Sequence, residues 1–267
     1  PDAHPAAPSP VSAILSGLVV NIAAYAMFRY MYTIYGGELS SSLKIVVDLV
    51  STLLLLTGAA SALIGSLLMN LQVDIKRIIA YSTVLHMGYL FMCIGARNET
   101  ASTAFILHII NHSIAKSTLF LSAGVFIHLF KTRNINKLGG LASAVPLATA
   151  STIVSGLNLA GIPPLPIFYS KLLMFNALLQ VHIAYSVIIV LTSVIALLAY
   201  VKLAYKLLIG RRVIFENVKT PLLFKIVLSI MIITMILMGI MINQILDLFI
   251  QPASKQAFNY LNYVFKP

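Results

Sequence analysis

The sequence predicts an all-α integral membrane protein of about seven transmembrane helices, one of them broken by prolines. Three observations carry that expectation. Of 267 residues, 60% are hydrophobic and only 9% are charged, where a water-facing domain holds about 25% charged residues. Mean hydropathy is strongly positive. The apolar residues gather in seven long runs, and one helical span needs about 20 such residues. Short alternating segments of about ten residues, the mark of a membrane barrel, do not occur.

The runs cover residues 11–32, 43–69, 75–95, 102–130, 145–181, 183–209 and 222–249. Backbone polar groups in hydrocarbon must be satisfied within the segment, which makes each run a helix. The formal charge of +11 does not point to nucleic acid, because the basic residues sit in short clusters between the runs, as a topology signal does. Counting crossings from the N-terminus, one side holds Lys76, Arg77, Lys131, Arg133, Lys137, Lys206, Arg211, Arg212 and Lys219. The other holds Arg29, Lys44, Arg97, Lys255 and Lys266. Nine against five assigns the first side to the cytoplasm and the C-terminus to the outside.

Cys93 is the only cysteine and lies in an apolar run, so no disulfide framework or cysteine-based zinc site is expected. The opening PDAHPAAPSP lacks the basic region and short apolar core of a signal peptide. It also starts without an initiator methionine, which implies residues removed or lying in a longer chain.

The fifth run reads NLAGIPPLPIFYSKLLMF, with Pro163, Pro164 and Pro166 at mid-membrane and Lys171 just beyond. Three missing donors break a helix, and such breaks survive only where the backbone is buried in protein or lines a wet cavity. Transporter ion sites use them. A re-entrant turn between two short helices, with no ion role, is the alternative.

Ionisable groups inside spans are costly and functional by default. In FILHIINHSIAKSTLF, residues His108, His112 and Lys116 are spaced by four. They therefore share one helix face, each about 6 Å along the axis. Imidazoles change charge near neutral pH, and a row of them leading to an amine offers stepped sites for a proton. Two histidines at this spacing also suit a metal. A metalloprotease helix, however, carries a glutamate after the first histidine; Ile109 stands there, and the Lys116 cation would repel the metal. Simple hydrogen bonding between helices is the remaining alternative, and it is strongest for His86, alone in the third run. Asn21 in the first run can bond across helices or hold water. Lys202, Lys206 and Lys225, like Arg29 and Lys44, are expected to snorkel; Asp48 and Asp247 are read as interface residues.

These motifs resemble one family. PDAHPAAPSPVSAILSG, DIKRIIAYSTVLHMGY, HIINHSIAKSTLFLSAG with NKLGGL, and LAGIPPLPIFYSKLLMF occur here in the order found in antiporter-like membrane subunits. Such subunits belong to respiratory complex I, membrane-bound hydrogenases and multisubunit sodium/proton antiporters. The resemblance implies a fold of fourteen helices with two inverted five-helix repeats, of which this chain holds the eighth to fourteenth. Residues 1–42 would close the first repeat, 43–210 form the second with its broken helix at 145–181, and 211–267 hold the last helix and tail.

By the same resemblance Lys116 is the central lysine, His108 and His112 are its neighbours, and His86 lies in the AYS-x-x-x-H stretch. Lys171 is the ionisable residue of the broken helix, on the exit side. Asn21 stands where several members carry a lysine or histidine bridging two half-channels, and an amide cannot carry that charge. The glutamate–lysine pair of the first half-channel would lie upstream of residue 1, in a first half either missing or in another chain.

The resemblance implies a proton-translocating subunit of a redox-driven complex, in an energy-transducing membrane, with other membrane subunits and similar antiporter-like subunits as partners. This chain would hold no cofactor or catalytic redox site itself; Fe–S clusters, flavin or a Ni–Fe centre would sit in partner subunits. A gradient-driven sodium/proton antiporter and a non-conducting structural half-subunit are the alternatives.

Overall fold

The computed structural model describes residues 2–36, 40–209 and 220–258. Arg211, Arg212, Lys219 and Lys266 of the charge count lie outside these. Among the described residues the chain is helical, with one isolated β-bridge between Asp74 and Asn134.

Six helices are long and apolar enough to cross a bilayer: α1 (Ser9–Ile34), α2 (Ser41–Leu71), α3 (Ile75–Ala96), α4 (Glu99–Phe130), α7 (Ile183–Ile209) and α8 (Leu222–Ile240). Between α4 and α7 run two half-length helices, α5 (Pro146–Ala160) and α6 (Pro166–Leu179). With 15 and 14 residues, neither reaches across alone; joined end to end they make the seventh crossing. The outer faces of α2, α7 and α8 expose leucine, isoleucine and valine, as lipid contact requires. The integral-membrane, all-α architecture is therefore the one the composition predicts.

α1 carries Pro10 in its first turn, where the lost N–H is free of cost. It contains two π-turns, Leu15–Val19 and Tyr30–Ile34. The first sets Ser16 Oγ 2.7 Å from Thr83 Oγ1 on α3. Helices α2 and α3 pack through small residues: a Cβ on Gly88 would lie 2.5 Å from Gly58 O, so the two backbones touch as small-residue seams allow. Asp74 caps α3 by accepting from Lys76 N at 2.8 Å.

α4 is the hub, packed on α1, α3, α5, α6 and α8. Asn98 caps its start through Ala101 N at 2.8 Å. It ends at Lys131, left-handed at φ 53°.

The broken crossing differs from its predicted form in one detail. α5 stops because Gly161 turns left-handed at φ 87°, its N–H bonding Leu157 O and Asn158 O at 3.1 and 2.9 Å. Pro163 and Pro164 occupy the turn, whereas Pro166 begins α6 in a first-turn position that tolerates proline. Asn158 Oδ1 accepts from Ile167 N at 3.1 Å, tying the two halves together across the break.

One further expectation is corrected. The last run is not one helix over 222–249: Met241 leaves helical geometry at ψ 21°, and residues 242–258 form a second helical stretch. Beyond the turn, Ile242 and Ile250 pack on Leu107 of α4. Lys202, expected to snorkel, has fixed partners at the end of its reach. Its Nζ donates to Asn70 O and Gln72 O at 2.8 and 2.9 Å, satisfying orphan carbonyls at the C-terminus of α2, where a cation is favoured. Asp48, at the start of α2, pairs with Arg97 at 3.1 Å.

Candidate functional site

The interior of the bundle is polar along one line. His108, His112 and Lys116 project from one face of α4, as the spacing predicts, and all are fully buried. His86 of α3, the weakest candidate in the sequence, is drawn into their centre. Its ring centroid lies 5.1 Å from those of both His108 and His112. The rings of His108 and His112 are 6.0 Å apart and stacked.

A hydrogen-bond chain runs through part of this row. His86 Nδ1 is 2.9 Å from His108 Nε2, His108 Nδ1 is 2.8 Å from Ser170 Oγ, and Ser170 Oγ donates to Ile167 O at 2.9 Å. With the hydroxyl hydrogen spent on Ile167, His108 donates from Nδ1, its Nε2 accepts from His86 Nδ1–H, and His86 Nε2 is left as a bare acceptor. If Ser170 turns its hydrogen to His108, every bond reverses and His86 Nε2 carries a hydrogen instead. Among the described residues, His86 Nε2 and both nitrogens of His112 make no hydrogen bond.

The lysines close the two ends. Lys116 Nζ donates to Ile79 O at 3.0 Å and to Ser82 Oγ, the latter one helical turn before His86 on α3. Lys171 sits next to Ser170 on α6. Its Nζ donates to Leu159 O and Ala160 O at 2.9 and 2.8 Å, carbonyls that the end of α5 leaves without helical partners. The ammonium also lies 5.5 Å over the ring of Tyr89, within cation–π range. The Tyr89 hydroxyl is 2.8 Å from Thr192 Oγ1. Lys171 borders an apolar cavity of about 400 Å³ between α6 and α7, beside Phe168, Phe175 and Val194.

Gly161 is required by this geometry twice over. Its φ is one that side chains rarely adopt, and a Cβ there would lie 2.9 Å from Lys171 Cδ.

Asn21 stands to one side. Its Nδ2 donates to Gly17 O at 2.8 Å and to Ser113 Oγ at 2.7 Å, so it touches α4 beside His112 but makes no bond to the histidine row. Sequence reasoning missed Ser82, Ser170, Tyr89 and the carbonyls of Leu159 and Ala160. Spacing could have found Ser82, four residues before His86; nothing in the sequence marks Tyr89, which comes from a different crossing than Lys171.

Fold and site together define a polytopic membrane protein with a buried axis of histidines and lysines. The chain belongs to the NADH:quinone oxidoreductase/Mrp antiporter transmembrane family, whose model matches residues 1–196. It is 34% identical over 177 residues to the Hydrogenase-4 component F homolog of Methylacidiphilum infernorum, covering 66% of this chain and 36% of that protein. It is 29% identical over 252 residues to NADH-quinone oxidoreductase subunit M of Rickettsia typhi, covering 93% and 49%. Its fold superposes on a chain of the Mrp complex from Dietzia sp. DQ12-45-1b with a TM-score of 0.87 at 22% identity, over 98% of this chain and 56% of that one. The chain thus spans between about a third and a little over half of these relatives' lengths.

Proposed function

We propose that this chain carries protons across part of the membrane as an antiporter-like subunit of a redox-driven complex of the complex I or membrane-bound hydrogenase type. The relay runs over Lys116, His112, His86, His108, Ser170 and Lys171. The observation that supports it is the His86–His108–Ser170 hydrogen-bond chain, which ends beside Lys171 and reverses without any heavy atom moving far. Like charges on one axis repel, so a proton arriving at Lys116 favours departure of one held at Lys171. His112, bonded to neither neighbour, is the step that needs a ring rotation or a bridging water.

In this reading residues 43–210 act as the second repeat and 1–42 close the first. The Pro1 end faces the cytoplasm or matrix, as the basic loops favour. Redox centres, whether Fe–S, flavin or Ni–Fe, belong to partner subunits. The test is proton pumping by the assembled complex in sealed vesicles. Lys116→Ala and Lys171→Met should abolish it with assembly intact, and undiminished pumping in either variant would discard the relay.

A gradient-driven antiporter is the second reading, motivated by a family that includes both NADH:quinone oxidoreductase and Mrp antiporter subunits. Mass spectrometry of co-purifying proteins separates the two. Iron–sulfur, quinone-binding or nickel–iron subunits support the redox-driven complex; small membrane subunits alone support the antiporter.

A further inference from the structure

A second cavity, of about 740 Å³, lies far from the break, where the opening segment meets the end of α4 and the start of α8. Its walls grade in polarity along a single helix face. Leu121, Gly124 and Ile127 of α4 line the inner part, and His128 and Lys131 follow at the outer end. At 1.5 Å per residue, this stripe is about 15 Å long.

Opposite it, Lys76 Nζ donates to Ala7 O at 2.6 Å, and Arg133 donates to Pro5 O at 2.8 Å while pairing with Asp74 at 3.2 Å. These two cations hold the opening segment as a wall. His128 and Lys131 differ, because neither side chain has a hydrogen bond or ion pair among the described residues. The N-terminus of the 19-residue α8 also opens here through Pro221 and Phe224, with no side chain among the described residues capping it. Its free N–H groups favour an anion.

We propose that this cavity binds an anionic phospholipid. Its phosphate would lie between Lys131, His128 and the α8 N-terminus, with an acyl chain along Leu121, Ile127 and Phe224. The chemistry selects this occupant. The unpaired Lys131 cation, the unpartnered His128 ring and free amides at the membrane boundary call for a phosphate, and the apolar stripe leading inwards from them calls for a chain attached to it. Basic pockets between transmembrane helices hold such headgroups. A free phosphate would leave the stripe unfilled. Bound there, the lipid would link the opening segment, α8 and the helix that carries Lys116.

The test is photo-cross-linking of the full membrane complex with phosphatidylglycerol and phosphatidylcholine analogues of equal chain length, followed by peptide mapping. The phosphatidylglycerol probe should label residues 121–131 and 221–228. Lys131→Asn should reduce that labelling roughly fivefold; asparagine is chosen because it tolerates the left-handed backbone at this position. Lys137→Asn, an exposed cation outside the cavity, should leave labelling unchanged. Equal labelling by phosphatidylcholine, labelling confined to other segments, or full displacement by inorganic phosphate would each overturn the proposal. If the Lys131 variant fails to assemble, His128→Asn carries the same expectation.

Discussion

His86 Nδ1 lies 2.9 Å from His108 Nε2, so two histidines on different helices, 22 positions apart, share one hydrogen. Sequence spacing could not have paired them. That contact turns a row of residues on one helix into a junction between α3, α4 and, through Ser170, α6.

Ser170 is then the hydroxyl on which the chain depends. Ser170→Ala removes the acceptor for His108 while leaving a good helix former in α6. Proton pumping in vesicles should fall about tenfold or more, the scale of a lost proton-transfer partner. Ser170→Thr, which keeps a hydroxyl, should recover part of it. Full activity in the alanine variant would show that protons bypass this oxygen.

Gly161 holds both the turn and the room for Lys171. Gly161→Ala places a side chain at φ 87° and against Lys171 Cδ. The backbone conflict alone costs about 1 kcal/mol or more. Thermal unfolding of the purified complex should shift downward, and pumping should drop with it, because the displaced amine loses the carbonyls of Leu159 and Ala160.

Lys202 caps the end of α2. Lys202→Met keeps the apolar stem and removes the bonds to Asn70 O and Gln72 O. Stability should fall by roughly 0.3–1 kcal/mol, with pumping per assembled complex unchanged. An unaltered denaturation midpoint would mean that the ammonium contributes nothing at the end of α2.

His4 gives the opening segment a pH dependence. The ring is half-buried and meets Phe120 edge-on at 5.2 Å between centroids. Burial, and after it the charge of Lys116, lowers its pKa to about 4, against about 6.5 in an unfolded chain. Between those values the unfolded state binds the additional proton, so this contribution is complete above about pH 6.5 and is lost as pH falls towards 4. Thermal midpoints recorded across that window should decline less steeply for His4→Gln than for the parent chain. Identical slopes would mean that His4 stays solvated in the assembled protein.

Much of the architecture was legible because hydrocarbon imposes a simple rule. A segment that must satisfy its own backbone becomes a helix, and its length and apolarity are local properties. The seven runs, the broken fifth crossing and the shared face of His108, His112 and Lys116 all follow from short-range spacing. The turn at Met241 was not legible: residues beyond it pack against Leu107, which lies more than a hundred positions away.

What the sequence by itself determined is which groups enter the membrane: six long helices, one proline-interrupted crossing, and a small set of ionisable side chains, His108, His112 and Lys116 on one face among them. The tertiary structure alone decided how those groups connect. It brought His86 from α3 to the centre of the row, placed Ser170 between His108 and the neighbourhood of Lys171, and gave Lys171 the carbonyl ends of another helix. It also left Asn21 bonded beside the row and assigned Lys202 to a cap. The reason is physical: periodicity along one helix fixes a face, but a hydrogen bond between helices depends on crossing angle, rotation and depth. Those are set by the packing of every neighbour at once.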